Sequence, residues 1–175
     1  MTLTDIIGDF AAFYWQQLNR LRDLGVDATG YAVSHVAYRV ASLDEYLAVR
    51  NQIEALCRAN VENVWNGRPI SKMLLSESAG LGNGASVDLV ELIPPEHGAP
   101  VAMGLEHVGI VIGEDVDEFA RTHEAAITKQ QHQSENCEPY LITFHDLTTV
   151  KFYRYSLMDV CVREGWVFDD FHHVV

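Results

Sequence analysis

Two stretches of this chain repeat the same pattern of residues at a nearly fixed spacing. The stretch His35-Val-Ala-Tyr-Arg-Val40 precedes Leu43-Asp-Glu-Tyr46, and His107-Val-Gly-Ile-Val-Ile112 precedes Val116-Asp-Glu-Phe119. The two histidines lie 72 residues apart, and the two helix starts lie 73 residues apart. A repeat at a fixed offset indicates an internal duplication, so the chain is restricted to folds built from two copies of one unit.

Each copy is predicted to contain a strand, a helix and three further strands, in the order βαβββ. In the first copy a β-rich run covers 31–40, and Ser42 and Glu45 form a capping box that opens a helix fading near Asn60. The remaining elements of this copy are strands at 61–65, 68–77 and 86–93, with a turn-rich loop at 79–84.

The second copy follows the same order. Its elements are a strand at 105–112, a helix over about 115–129, a short strand near 131–133, and strands at 137–145 and 149–155. An apolar stripe from Thr4 to Leu24 predicts one further helix before the first copy. The predicted organisation is an N-terminal helical segment at 1–30, a first repeat at 31–100 and a second at 101–175, together one domain.

Composition excludes several classes of protein. The chain carries 25 acidic and 12 basic residues, a formal charge of −13, and such a surface repels nucleic acid. No run approaches the roughly 18 apolar residues of a membrane helix, and the first residues do not resemble a secretory leader, so we expect a cytoplasmic protein without a membrane partner. Three widely spaced cysteines, with no C-x-x-C pair, are expected to be reduced and structural.

The two histidines are predicted to occupy equivalent positions on the face of the sheet away from the helices. Because side chains alternate along a strand, Val36 and Val108 belong to the helix side, which leaves His35 and His107 on the other. The small residues Ala37 and Gly109 leave room beside the histidines.

A carboxylate completes the candidate metal site. Glu91 lies in the apolar run Val87-Asp-Leu-Val-Glu-Leu-Ile93, where a carboxylate requires a partner or a metal. If the two copies meet about a pseudo-twofold axis, His35, Glu91 and His107 converge. Two imidazoles and one carboxylate form a facial triad with open positions, and suit Fe(II), Mn(II), Zn(II), Ni(II) or Co(II).

These residues carry a family resemblance that covers nearly all of the chain. The duplicated order, with a histidine opening each copy and Glu91 ending the first, resembles the vicinal oxygen chelate superfamily, which includes glyoxalase I, extradiol dioxygenases and fosfomycin resistance proteins. The chain is more similar still to the YecM-like family. That similarity rests on the N-terminal helix and on Ser34-His-Val-Ala-Tyr-Arg39, Asn66-Gly-Arg-Pro-Ile70, Val90-Glu-Leu-Ile-Pro94, Glu106-His-Val-Gly109 and Val150-Lys-Phe152.

The resemblance implies a fold and a type of chemistry. The fold is α+β, with two βαβββ repeats and paired curved sheets (glyoxalase/dioxygenase-like), preceded by the N-terminal helix. The superfamily implies a metal-centred mechanism on a substrate that chelates through two oxygens. The YecM-like family implies a metal site without a settled reaction.

One residue departs from the superfamily pattern. Aligning the two copies places Lys151 where a fourth ligand, commonly glutamate, often stands, and this departs from glyoxalase I, whose reaction needs a carboxylate base at the metal. A protonated lysine cannot bind a metal, but it can pair with Glu91 or hold an anionic substrate.

Tyr153 on the same face can supply a hydroxyl group. Arg39 and Arg68 are candidate clamps for carboxylate or phosphate groups, or partners of surface acids.

Three functions remain open at this point. The first is a metalloenzyme, a lyase, isomerase or dioxygenase, that acts on a small oxygenated substrate. The second is a non-catalytic small-molecule binding or sequestering protein with the same fold. The third is a metal-free module in which Lys151 and Glu91 form an internal ion pair. The expected partner is a small-molecule substrate or ligand, and the chain is expected to act as a monomer or a homodimer.

Overall fold

The computed structural model describes residues 1–96, 98 and 100–175. His97, which the sequence places in a solvated loop after Pro95, lies outside them. The helices are α1 Leu3–Ile7, α2 Phe10–Asp23, α3 Leu43–Glu54, α4 Val116–Thr122 and α5 Leu157–Arg163. The strands are β1 Ala32–Arg39, β2 Cys57–Trp65, β3 Arg68–Gly82, β4 Ala85–Ile93, β5 Gly104–Val111, β6 Lys129–Gln130, β7 Tyr140–Thr143, β8 Thr149–Tyr153 and β9 Phe171–His172.

The strands form one sheet whose order shows the predicted duplication. The order is β6-β7-β8-β5-β1-β4-β3-β2-β9. In each copy the first strand pairs in parallel with the last, β1 with β4 and β5 with β8. The two first strands pair with each other in antiparallel fashion at the centre of the sheet. The prediction of two βαβββ repeats is therefore confirmed, and the pseudo-twofold axis passes between β1 and β5.

Each face of the sheet is covered by different elements. Valines from the four central strands, Val36, Val90, Val108 and Val150, pack in one core cluster with residues of α1, α2 and α3. On the opposite face Leu157 of α5 packs against residues of β2, β3 and β4. Burial of this apolar surface on both faces is the main force that holds the two copies together.

The predicted helix boundaries were too long in three places. The N-terminal helix is two helices, because Gly8 adopts a φ of 84° and Asp9 then caps α2. Helix α3 ends at Glu54, and Cys57, predicted to be helical, begins β2. Helix α4 ends at Thr122 rather than near Lys129, which begins β6.

Helix α5 and the tail were not predicted. A seven-residue helix is shorter than the window in which a helical period can be recognised. The tail pairs with the edge of the sheet through β9, and the buried Glu62 carboxylate accepts hydrogen bonds from the backbone N–H groups of Val174 and Val175. His173 also pairs with Glu54, so the tail histidines, where fraying is the usual expectation for a chain end, are held against the sheet edge.

No helix in the described part of the chain is long and apolar enough to cross a membrane.

Candidate metal centre

The structure brings His35, Glu91 and His107 together at the centre of the sheet. Nε2 of His107 lies 3.1 Å from Nε2 of His35 and 3.1 Å from Oε2 of Glu91, and the third separation, from His35 to Glu91, is 3.6 Å. Metal–ligand bonds of about 2.1 Å that meet at roughly 90–109° hold their ligand atoms about 3.0–3.4 Å apart. The two separations of 3.1 Å fall in this range and the third, 3.6 Å, is slightly longer, so the three atoms lie close enough together to share one ion.

The pairing of β1 with β5 explains why the two imidazoles meet. Gly109 lies directly opposite His35, and Ala37 lies opposite His107. A Cβ atom added to Gly109 would lie 2.4 Å from Cε1 of His35, closer than non-bonded carbon atoms approach. The ring of His35 therefore occupies the space that a side chain at position 109 would fill.

Two β-bulges, related by the pseudo-twofold axis, lie beside the histidines. The register of β1 against β5 shifts between Val33 and His35, which leaves Ser34 without an opposite residue. It shifts back between Tyr38 and Ala37, and there the unmatched residue is Glu106. A bulge redirects the side chain of the extra residue. Simple alternation would direct Ser34 and Glu106 towards the helix layer, but each instead contacts the histidine that follows it.

Glu106 fixes the protonation of His107. Its Oε1 lies 3.0 Å from Nδ1 of His107, and its Oε2 forms an ion pair with Nε of Arg39. Burial raises the pKa of Glu106, but the hydrogen bond and charge of His107 and those of Arg39 outweigh it and bring the pKa to about 2. An ionised carboxylate only accepts hydrogen bonds, so Nδ1 of His107 must donate, and in the neutral ring the lone pair of Nε2 points at the cluster.

Ser34 plays the corresponding part for His35. Its Oγ lies 2.8 Å from Nδ1 of His35 and also accepts a hydrogen bond of 2.7 Å from the backbone N–H of Leu157. Helix α5 is thus linked through one hydroxyl group to the ring of His35. This contact fixes the Nδ1 edge of the imidazole, so Nε2 at the other edge is directed at His107 and Glu91.

The two remaining site groups are in the protonation states that metal binding requires. Complete burial disfavours the imidazolium form of His35, and although Glu91 opposes this, the pKa falls to about 3. Burial raises the pKa of Glu91, but the hydrogen bond and charge of His107, together with the charge of Lys151, hold it well below the ordinary value. Neutral imidazole and ionised carboxylate are the forms that bind metals.

Lys151 occupies the position in the second copy that Glu91 occupies in the first. Ala37 pairs with Glu91, and the equivalent Gly109 pairs with Lys151, so the strand registers agree with the sequence alignment. No ion pair within 4 Å joins Lys151 to Glu91 or to any other described residue. The internal ion pair of the metal-free hypothesis is therefore absent from the described residues.

The other candidate residues lie around the cluster in different roles. The ring of Tyr153 packs edge-on against His35, with centroids 5.5 Å apart, and burial raises the pKa of its phenol far above the ordinary value. Arg39 is buried and donates to the carbonyl of Pro94 as well as to Glu106, so it lies behind His107. Arg68 lies farther out, 3.4 Å from Glu96.

A cleft opens beside Glu91 and gives access to the cluster. It consists of two adjoining cavities of about 460 and 110 Å³ that share Trp65, Ile70, Glu91 and Gln133 in their walls. Both histidine side chains are fully buried, whereas the Glu91 side chain is 12% exposed. A ligand in the cleft would therefore meet the cluster from the side of Glu91.

Replacing Glu106 with glutamine is expected to weaken metal binding by about 10- to 100-fold, the usual effect of losing a carboxylate behind a ligating histidine. The amide still accepts a hydrogen bond from His107 but no longer carries the charge that favours the metal-bound ring. Competition with a metal-sensitive dye measures the affinity. Glu114→Gln, which removes an exposed carboxylate paired with Arg154, is the matched control and should leave the affinity unchanged. Equal affinities in both variants would contradict this role for Glu106.

Comparison with known proteins gives a family and a fold. The sequence profile of the family described as YecM protein matches residues 2–152. No curated protein matches the chain. A solved structural-genomics protein, EC4020, is 24% identical over 93% of this chain and 93% of its own, with a TM-score of 0.73. The likeness to EC4020 shows that the two chains share a fold.

Two more remote structures also match the chain. A candidate dioxygenase from Bacillus subtilis subsp. subtilis strain 168 is 9% identical over 72% of this chain and 41% of its own, with a TM-score of 0.46. A mutant of the fosfomycin resistance protein FosX from Listeria monocytogenes, complexed with Mn(II) and 1S,2S-dihydroxypropylphosphonic acid, is 14% identical over 75% of this chain and 96% of its own, with a TM-score of 0.31.

Proposed function

The chain belongs to the YecM protein family, and from the geometry of its site we propose that it binds one divalent transition metal through His35, Glu91 and His107. The ion serves a small oxygenated substrate, and the reaction class is that of an isomerase, a lyase or an oxygenase. Zn, Fe, Mn, Ni and Co all suit two imidazoles and a carboxylate.

The observation that carries this proposal is the convergence of three ligand-type atoms, Nε2 of His35, Nε2 of His107 and Oε2 of Glu91. Nε2 of His107 lies 3.1 Å from each of the other two, and because an ionised Glu91 only accepts hydrogen bonds, a proton or a cation must lie between its Oε2 and Nε2 of His107. A proton joins only one pair of these atoms, whereas a divalent cation would bind all three together.

The residues around the cluster hold its ligands in place. Glu106 and Ser34 fix the two rings, Arg39 holds Glu106, and Gly109 leaves the space that His35 fills. Tyr153 packs against the ring of His35 and its phenol stays protonated, and Leu157 and Val160 of α5 form an apolar part of the cleft wall. A divalent ion held by His35, Glu91 and His107 would supply Lewis-acid polarisation of substrate oxygen atoms.

A second candidate function is a non-catalytic binding or sequestering protein. The observation that favours it is Lys151, which stands at the position equivalent to Glu91 and offers neither a fourth ligand nor a carboxylate base. Such a protein would bind the same metal and the same oxygen-bearing ligand but would release the ligand unchanged. The metal and the fold are common to both candidates, and only turnover separates them.

The proposed open coordination positions predict a specific response to Mn(II). Metal-free protein loaded with about one Mn(II) per chain should enhance the relaxation of water protons, because three protein ligands leave positions for water. Oxalate, which chelates through two oxygens, should reverse the enhancement. A bound Mn(II) without enhancement would indicate a closed, structural site and would contradict the proposal.

A turnover screen then separates enzyme from binder. Catechols, 2-oxo acids and glutathione adducts represent the oxygenase, isomerase and lyase classes, and each is incubated with metal-loaded protein. Product formation that disappears in the His107→Ala variant supports catalysis. Ligands that reverse the water relaxation without being converted support the binding protein.

A further inference from the structure

The lysines of this protein are concentrated in one place. The sequence contains three lysines, Lys72, Lys129 and Lys151, and all three line the cleft beside Glu91. They come from three different strands, β3, β6 and β8, in both copies of the repeat. Two of them flank the cluster directly. In the register of β3 against β4, Lys72 lies opposite Glu91, although their side chains form no ion pair. Lys151 lies at the position equivalent to Glu91 in the second copy.

The charge of the cleft is opposite to that of the whole protein. Basic residues are outnumbered two to one in the chain, 12 against 25. In the walls of the cleft five basic residues face four acidic ones, even before the metal is counted. The basic residues are Arg39, Arg68, Lys72, Lys129 and Lys151, and the acidic ones are Glu91, Glu96, Glu106 and Glu164. Such a cleft attracts anions to a molecule whose surface otherwise repels them.

Lys72 is a buried cation without a carboxylate partner. Only 6% of the residue is exposed, and its ammonium group donates to two neutral oxygens, Oδ1 of Asn63 and the carbonyl of Ile70. No carboxylate among the described residues lies within 4 Å of Nζ. An ammonium group has three N–H donors, and burial of its charge without an anion is costly. One donor of Lys72 remains for a ligand in the cleft.

Two further cations in the cleft are incompletely paired. Lys151 is half-buried and forms neither a hydrogen bond nor an ion pair with any described residue. Nη1 of Arg68 is buried, has no hydrogen-bond partner among the described residues, and approaches only Glu96, at 3.4 Å. Arg39, by contrast, is fully engaged with Glu106 and Pro94. The free donors in the cleft therefore belong to Lys72, Lys151 and Arg68.

We propose that the substrate is an anion: besides the oxygen atoms that meet the metal, it carries a carboxylate or phosphate group that Lys72 and Lys151 bind at the two sides of Glu91, with Arg68 at the rim. The inference rests on the proposed metal function, because it names the class of substrate for that site. It also gives Lys151 a role as the binding residue for this group. Within the oxygenase class, the inference favours catechols that carry a carboxylate group over neutral catechols.

The test uses inorganic phosphate and succinate as probes of the two anion types. Each is titrated calorimetrically into metal-loaded and metal-free protein. One charge-assisted hydrogen bond contributes enough that Lys72→Met and Lys151→Met should each weaken binding of the preferred anion by about 10- to 100-fold. Arg121→Met removes one positive charge from an exposed helix position and should change the affinity less than about twofold. Metal content and thermal unfolding are measured on every variant.

The outcomes separate this inference from the metal proposal. Weaker anion binding in both lysine variants, with about one metal per chain retained, supports it, and the stronger probe distinguishes phosphate from carboxylate. If both lysine variants bind the anion with wild-type affinity and metal-free protein does not bind it, the inference would be overturned and the proposed metal site would still stand. Lysine-dependent binding in a chain that takes up no metal would remove the metal proposal and keep the anion site. No binding of either anion to either form would overturn the inference.

Discussion

Replacing His35 or His107 with alanine is expected to abolish the metal content of the purified protein. Wild-type protein prepared without added metal should contain about one transition-metal ion per chain, and removal of one of three ligands should weaken binding by more than about a hundredfold. The two rings are equivalent by the pseudo-twofold symmetry of β1 and β5, so both variants should lose the ion to the same degree. Elemental analysis of the purified variants measures this directly.

The control for this experiment is another histidine. His145 is exposed in the turn after β7, and its replacement with alanine should leave the metal content unchanged. Because His35 is fully buried, its replacement with alanine also leaves a cavity that lowers the stability of the fold. Thermal unfolding in the presence of a chelator, where no protein carries metal, measures this loss of stability separately from the loss of metal binding. Added metal should stabilise the wild type by about 2.7 kcal/mol at a hundredfold excess over its dissociation constant. The same addition should stabilise neither His35→Ala nor His107→Ala, and full occupancy in these two variants would remove the proposed function.

The sequence predicted the parts of the fold that repeat or alternate. A duplicated strand and helix start predicted two equivalent units, and alternation along β1 and β5 directed His35 and His107 to one face. The apolar run around Glu91 singled out its carboxylate. These inferences depend only on local periodicity and on the symmetry between two segments of chain, which are properties that a sequence displays.

The residues that support the candidate site were not predictable in the same way. Ser34 and Glu106 precede the two histidines, and alternation directs both towards the helix layer. They reach the imidazoles because each is the extra residue of a bulge in the pairing of β1 with β5. A bulge is a property of two strands in contact, so no pattern within either strand reveals it. The one indication in the sequence is that a polar residue precedes the histidine in both copies.

Lys72 and helix α5 were missed for a related reason. Lys72 lies in a strand whose pattern does not distinguish it from a surface lysine, and only the pairing of β3 with β4 brings it beside Glu91. Helix α5 is too short to show a helical period, yet the backbone of Leu157 supports Ser34 and its side chain covers the sheet. Contacts between distant parts of the chain thus determine the surroundings of a site whose central residues alternation could predict.

Replacing Gly109 with alanine is expected to disrupt the site although it adds a single methyl group. The added Cβ would lie 2.4 Å from Cε1 and 2.6 Å from Nδ1 of His35, and that ring is fully buried, so it cannot move aside without disturbing its surroundings. Overpacking of this kind costs roughly 1–3 kcal/mol of folding stability. If the ring rotates to escape the contact, it loses Ser34 and leaves the cluster, and metal affinity should fall by at least about tenfold.

The matched control is Gly80→Ala, a change of the same size in another strand. Gly80 lies in β3 with no atom near the position that its Cβ would take, and it has no left-handed backbone that a side chain would strain. That variant should keep the metal affinity of the wild type and at least its stability, because alanine restricts the unfolded chain more than glycine does. Chemical denaturation in a chelator measures the stability of both variants, and dye competition measures their metal affinity. Wild-type affinity in Gly109→Ala would show that the position of His35 does not depend on the space that Gly109 leaves. Gly109 belongs to the second copy and His35 to the first, so their contact is part of both the pairing of β1 with β5 and the metal centre. One added methyl group therefore tests whether the strand pairing positions the metal ligand.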